Sequence, residues 1–235
     1  MKLKVWTAAE TKQLVASATA PSRQFEAIAE TKLDRDGPSG GLALRHLLRM
    51  FAYDPMVVRA PRQAFARLRP FVDGARLSLR RRHESGGTID EYIGGLALLM
   101  DGAVAGLCHV ARFCADGAAH SIVAPFAAVA VGGLKHQEPP GTSTLDLLFL
   151  LPENPMAQER SGRMVAFVLT GLSDLGFSIK HASCTLFGAA LLTETLPSFS
   201  ASLCNVRFVW GCDSLYAGLV NRRPKPATGS REHWS

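Results

Sequence analysis

Cysteine is scarce in this 235-residue chain, and what there is does not pair. Cys108, Cys114, Cys184, Cys204 and Cys212 are odd in number and include no Cys-x-x-Cys. That excludes a disulfide framework and a zinc ribbon, and the thiols are expected to pack as small hydrophobes. Long charge-free runs are also missing. The longest stretch without Asp, Glu, Lys or Arg, Gly117 to Leu134, is broken by His120, Ser121, Pro125 and Gly132-Gly133. A spanning helix needs about 20 mostly apolar residues. The N-terminus, MKLKVWTAAETKQ, has no apolar region of signal-peptide length. These absences predict a chain that does not enter the membrane and stays in the cytoplasm. There is no internal repeat and no low-complexity block.

The composition is 47% hydrophobic and 20% charged, which excludes a disordered or collagenous chain and provides for a sizeable core. The net charge of +6 is unevenly placed. Arg59, Arg62, Arg67, Arg69, Arg76, Arg80, Arg81 and Arg82 crowd one stretch with a single acid, Asp73, and Arg222, Arg223, Lys225 and Arg231 follow near the end. The expected reading is a solvated helix face whose guanidiniums pair with carboxylates. The rival readings are a nucleic-acid surface and a lure for an acidic partner.

The expected fold is α+β, a mostly helical first part followed by a small α/β core with a mixed sheet. Thr7 to Glu10 resembles a capping box. Helical spacing is seen from Leu42 to Phe51, from Arg62 to Leu68 with Pro70 as its stop, and from Asp73 to His83. Thr88 can cap a long helix running to about Phe113. Phe126 to Val131 and Leu145 to Leu151 read as buried strands. Gly162 to Leu175 reads as a helix ended by Gly176, and Phe177 to His181 as a third strand. Leu186 to Thr195 and Ala201 to Trp210 read as helices. The expected division is a helical extension over 1–70, a core domain over 71–220, and a disordered tail over 221–235.

Chemistry concentrates where the first strand ends in Gly132-Gly133. A polar loop follows, then Ser143-Thr144-Leu145-Asp146 on the second strand, then a helix and a third strand. Nucleotidyl transfer calls for this order. Glycines let backbone N–H groups approach a triphosphate. Two acids at i and i+2 point to one sheet face and clamp Mg²⁺ against phosphate oxygens.

The run AVGGLKHQEPPGTSTLDLLF, within Val129 to Phe149, resembles the nitrogen-regulatory PII protein uridylyltransferases, which share the fold of the DNA polymerase β-like nucleotidyltransferases. Their usual pattern, V-G-G-Y-G-R-G-E-L-x-P-x-S-D-I-D-L-L-F, aligns without a gap. The likeness extends through Leu150-Leu151-Pro152-Glu153, Leu175-Gly176, His181-Ala182 and Val206 to Gly211. Upstream it takes in Arg80-Arg81-Arg82 through Asp101. It covers about Ala75 to Gly211.

The resemblance implies a site with Asp146 as catalytic and metal-binding residue, and with Gly132, Gly133, Lys135 and Ser143 against the nucleotide. It implies Mg²⁺ as cofactor and UTP, or another nucleoside triphosphate, as ligand. A PII signalling protein would offer the tyrosine that receives UMP; neither a membrane nor nucleic acid is an expected partner. Two departures bear on activity. The first metal-binding Asp of the pattern is Thr144 here, and a neutral hydroxyl does not replace an anionic ligand. The Gly-Arg-Gly of the loop is Lys135-His136-Gln137, which removes the close backbone approach that glycine permits, although Glu138 is kept. Impaired catalysis is therefore expected, with a non-catalytic nucleotide- or partner-binding domain as the alternative. Glu138 or Glu153 could replace the lost ligand. The family's members also carry a metal-dependent phosphohydrolase domain and glutamine-sensing domains. With no counterpart of these, the chain is expected to have no uridylyl-removing activity and no glutamine response of its own.

Overall fold

The computed structural model describes Leu48, Val57 and residues 60–116, 126–132 and 144–222. Within them, helix α1 spans Pro61–Ala66 and α2 spans Arg69–Glu84. Pro70 opens α2 rather than closing the helix before it. A proline in the first helical turn gives up only an N–H that has no intrahelical acceptor. Helix α3, Ile89–Asp116, starts at a reciprocal cap. The Thr88 hydroxyl accepts from the Glu91 amide at 3.2 Å, and the Glu91 carboxylate accepts from the Thr88 amide at 3.3 Å.

Strands β1, Ala127–Val131, and β2, Thr144–Leu151, fall where apolar runs predict them. Helix α4 runs over Pro155–Asp174, earlier than Gly162, because Asn154 caps it. The Asn154 side-chain oxygen accepts from the amides of Met156 at 3.0 Å and Ala157 at 3.1 Å. Gly176, at φ +79°, ends the turn after α4. Strand β3 is Ser178–Thr185, longer than expected, and α5 is Leu186–Thr195, as expected.

The segment 201–210 is a correction. Instead of one helix it holds the end of α6, Pro197–Ser202, and then strand β4, Val206–Gly211. Helix α7, Asp213–Arg222, follows and runs into the stretch expected to be tail.

The four strands lie in the order β3-β2-β1-β4. β1 is antiparallel to both β2 and β4, while β2 and β3 are parallel and joined through α4. The result is the expected α+β architecture with a mixed sheet. One face, carrying Ala128, Ala130, Leu145, Leu147 and Phe149, packs under α1–α4. That core reaches back past position 70 to Phe65 and Leu68, and Phe65 meets Phe167 edge-on at 5.6 Å between ring centroids. The other face, with Ala127, Val129, Leu148 and Leu150, packs with Ala189 of α5, Leu203 and Leu219 of α7. The alternation of period two sorts the strand residues between these cores.

Among the described residues, α3 is the one helix long and apolar enough to cross a membrane, with mean hydropathy 1.6. Its apolar side chains are largely buried against α2, α4 and β4, and its central Asp101 is ion-paired with Arg207 of β4. A core helix between two layers needs the same apolarity as a spanning one.

Candidate functional site

The site residues within the described structure are Gly132, Thr144 and Asp146; Gly133, Lys135 and Ser143 lie outside it, as do His136, Gln137 and Glu138. Leu148 and Leu150 belong to the core under α5–α7, so Thr144 and Asp146, in step with them, lie on that same face of β2. Both are half-buried. β1 and β2 pair from Ala127↔Leu150 to Ala130↔Leu147. Continued one step, this register sets Val131, the last residue before Gly132, opposite Asp146. The end of β1 and Asp146 are therefore neighbours across the sheet.

Gly132 has φ +72°, a left-handed conformation that an L side chain rarely adopts. Its N–H does not project free. It donates to the Asn205 carbonyl at 2.8 Å and the Ser202 carbonyl at 3.2 Å, tying the end of β1 to the turn between α6 and β4. Any amide offered to a phosphate from this bend has to come from beyond Gly132.

On the other side of β2 the parallel register places Ser178 beside Thr144 and Lys180 beside Asp146. Lys180 is exposed and shares the sheet face of Cys184, which packs with the α5–α7 core. The immediate neighbour of Asp146 across the strands is thus a cation. Pattern reading along the chain misses this residue, because the pairing is created by the β2-α4-β3 crossover.

Glu153 cannot make up the lost ligand. From Asp146, β2 continues to Leu151 before Glu153 is reached, about 16 Å of strand. There its carboxylate accepts from the Phe187 amide at 3.1 Å, and the Thr185 hydroxyl accepts from the Gly188 amide at 3.1 Å. Together they cap α5, where a negative charge also meets the positive end of the helix dipole. Among the described residues no three His, Cys, Asp or Glu are grouped so as to hold a metal ion. A resident Mg²⁺ drawn from one carboxylate and one hydroxyl, beside an ammonium, does not fit the donor chemistry this ion prefers.

His181 is exposed on β3, not a core histidine. Phe208 and Trp210 lie on a strand, and a register shift opposite Ala128 and Val129 turns them to different cores. Trp210 packs on Phe126 at 5.2 Å and Phe208 on Tyr216 at 5.3 Å between centroids. Of the arginine stretch, Arg69 and Arg76 each lie 3.8 Å from an Asp73 oxygen. Arg76 also donates to the Gly176 carbonyl at 2.9 Å and stacks over Phe177 at 4.5 Å. Burial pushes its guanidinium below the ordinary value, with Asp73 opposing. Arg80, Arg81 and Arg82 are exposed. Two cavities, of about 370 and 260 Å³, border α2 and α3, and neither is lined by Thr144 or Asp146.

No family model and no solved structure matches the chain. Comparison with curated proteins supports a chain of nucleotidyltransferase-like kind. One relative is the bifunctional uridylyltransferase/uridylyl-removing enzyme of Azospirillum brasilense. It is 27% identical over a 164-residue alignment that covers 67% of this chain and 17% of the relative. The chain therefore spans only a small part of that protein, and the relationship is distant.

Proposed function

We propose that this chain is a uridylyltransferase-like nucleotidyltransferase domain in which transfer of UMP from UTP to a protein tyrosine is impaired. The observation that carries the reading is the placement of Thr144 and Asp146 on one face of β2, beside the bend at Gly132 that ends β1. It is joined by the distant likeness to the Azospirillum enzyme. In such a transfer a tyrosine hydroxyl attacks the α-phosphate in line and pyrophosphate leaves. The protein's part is mainly to hold the two reactants in position. Asp146 is the one acid of the pattern left on this face. We assign it the orientation of the attacking hydroxyl, with a PII signalling protein as acceptor.

The test is to incubate the protein with labelled UTP and a PII protein. The reading expects slow labelling of the acceptor that disappears in Asp146→Asn. Labelling that Asp146→Asn leaves unchanged contradicts it.

A second reading, a non-catalytic domain that binds nucleotide or a partner, is favoured by the commitment of the Gly132 amide to Ser202 and Asn205. Calorimetric binding of UTP with no transfer to any acceptor would select it.

A further inference from the structure

We propose that the face carrying Thr144, Asp146 and Lys180 binds the triphosphate of a nucleotide without a divalent ion, with the Lys180 ammonium supplying the positive charge. The inference rests on the nucleotide-binding reading above and adds to it a named ligand contact and a cofactor independence.

Three observations carry it. First, Lys180 is the cross-strand partner of Asp146, and the parallel register runs without a shift from Thr144↔Ser178 to Leu151↔Thr185. Parallel neighbours lie about 4.8 Å apart across the sheet, so the flexible Lys180 side chain reaches the space in front of Asp146. Second, Lys180 is exposed and takes part in no ion pair among the described residues, so its charge is available to a ligand. Third, the pattern's acid is Thr144 at the start of β2, and no three metal-ligating side chains are grouped among the described residues.

The electrostatic consequence follows from counting formal charges. A clamp of two carboxylates is doubly negative; it repels a triphosphate until a divalent cation is placed between them. One carboxylate beside one ammonium is neutral. Such a face attracts no divalent ion strongly, and the ammonium can donate directly to phosphate oxygens. Asp146 then acts against the ligand rather than for it, and this reverses the sign expected for its removal.

The test is calorimetric titration with UTP in EDTA and, separately, in Mg²⁺, using the full chain and variants whose fold is checked by circular dichroism. The wild type is expected to bind in EDTA, with affinity changed less than threefold by Mg²⁺. Lys180→Ala is expected to lose about tenfold in EDTA, the equivalent of one charge-assisted hydrogen bond, and Lys180→Arg to keep the affinity. Asp146→Asn is expected to bind more tightly in EDTA.

UTP binding that requires Mg²⁺, is indifferent to Lys180→Ala and weakens in Asp146→Asn overturns this inference while leaving the nucleotidyltransferase-like reading in place. No binding of UTP or any other nucleoside triphosphate in either condition overturns both.

Discussion

Arg207 of β4 is ion-paired with Asp101, near the middle of α3, across the sheet face that the long helix covers. The other Asp101 oxygen, Oδ1, is buried with no hydrogen-bond partner, so Arg207 carries the compensation for this carboxylate. Arg207→Ala leaves the acid unpaired in a mostly buried position. The expected loss is about 1–3 kcal/mol, read from urea denaturation. The neutral pair Asp101→Asn with Arg207→Gln is expected to lose less than Arg207→Ala alone, because no charge is stranded. Equal stability of wild type and Arg207→Ala would show that the pair is solvated and idle.

Gly211 and Gly132 lie at opposite ends of the β1–β4 ladder and differ in what surrounds them. Gly211 has φ +113°, and a Cβ there would collide with the Phe126 carbonyl oxygen. Gly132 has φ +72° and nothing within 4 Å of the added carbon. Gly132→Ala is expected to cost about 1–2 kcal/mol, the backbone penalty alone. Gly211→Ala, which must also displace backbone, should cost well above that and lower the melting temperature by the larger amount. The reverse order would contradict the register of β1 and β4.

Partial burial pushes the Cys212 thiol up, but hydrogen bonds from the Ser214 side chain and the Leu215 and Ser214 amides outweigh it and hold the thiol below its ordinary value. Its sulfur lies 3.1 Å from the Ser214 hydroxyl. Burial pushes Cys184 up to about 11, with Glu153 adding to it, and pushes fully buried Cys108 higher still. A lower pKa means more thiolate at a given pH. Near pH 8, iodoacetamide should therefore label Cys212 ahead of Cys184 and Cys108, as followed by mass spectrometry. Cys184 should join only as the pH approaches its raised value. Faster labelling of Cys184 at pH 8 would contradict the packing of β3 against α5.

Glu153→Ala separates a structural carboxylate from a ligand. Loss of the bond to the Phe187 amide is expected to cost about 0.5–1 kcal/mol of stability. UTP affinity should not change, because Glu153 follows the opposite end of β2 from Thr144 and Asp146. Weakened UTP binding in a variant of unchanged stability would return Glu153 to the site.

Much of the fold was legible where the local signal and the tertiary context agreed. Leu186 to Thr195 is a helix in the structure with the bounds that the sequence suggests. Thr88 and Gly176 acted as the cap and stop their residue types suggest. Failures came where the context decided. Val206 to Trp210 has apolar residues that satisfy a helical spacing, yet β1 offers a free edge, and the run pairs with it as β4. Pro70 and Pro155 both open helices, although Pro70 reads along the chain as a stop.

The site divides in the same way. That Thr144 and Asp146 share a face follows from strand alternation and needs no coordinates. Two features could not be read along the chain. The Gly132 amide is satisfied by carbonyls of the α6–β4 turn, and Lys180 comes beside Asp146 through a parallel crossover. Both depend on contacts between residues tens of positions apart.

The central claim is that the replacement of an acid by Thr144 limits transfer. Thr144→Asp puts the carboxylate back on the same face as Asp146, two residues away. The most direct measurement is the rate of UMP transfer from labelled UTP to a PII protein in Mg²⁺ for wild type, Thr144→Asp, and Thr144→Asp with Asp146→Asn. A restored metal ligand worth about 3 kcal/mol corresponds to roughly a hundredfold gain. The expected result is a gain of that order in Thr144→Asp that vanishes in the double variant. A folded Thr144→Asp protein that binds UTP and transfers no faster than the wild type would contradict the claim.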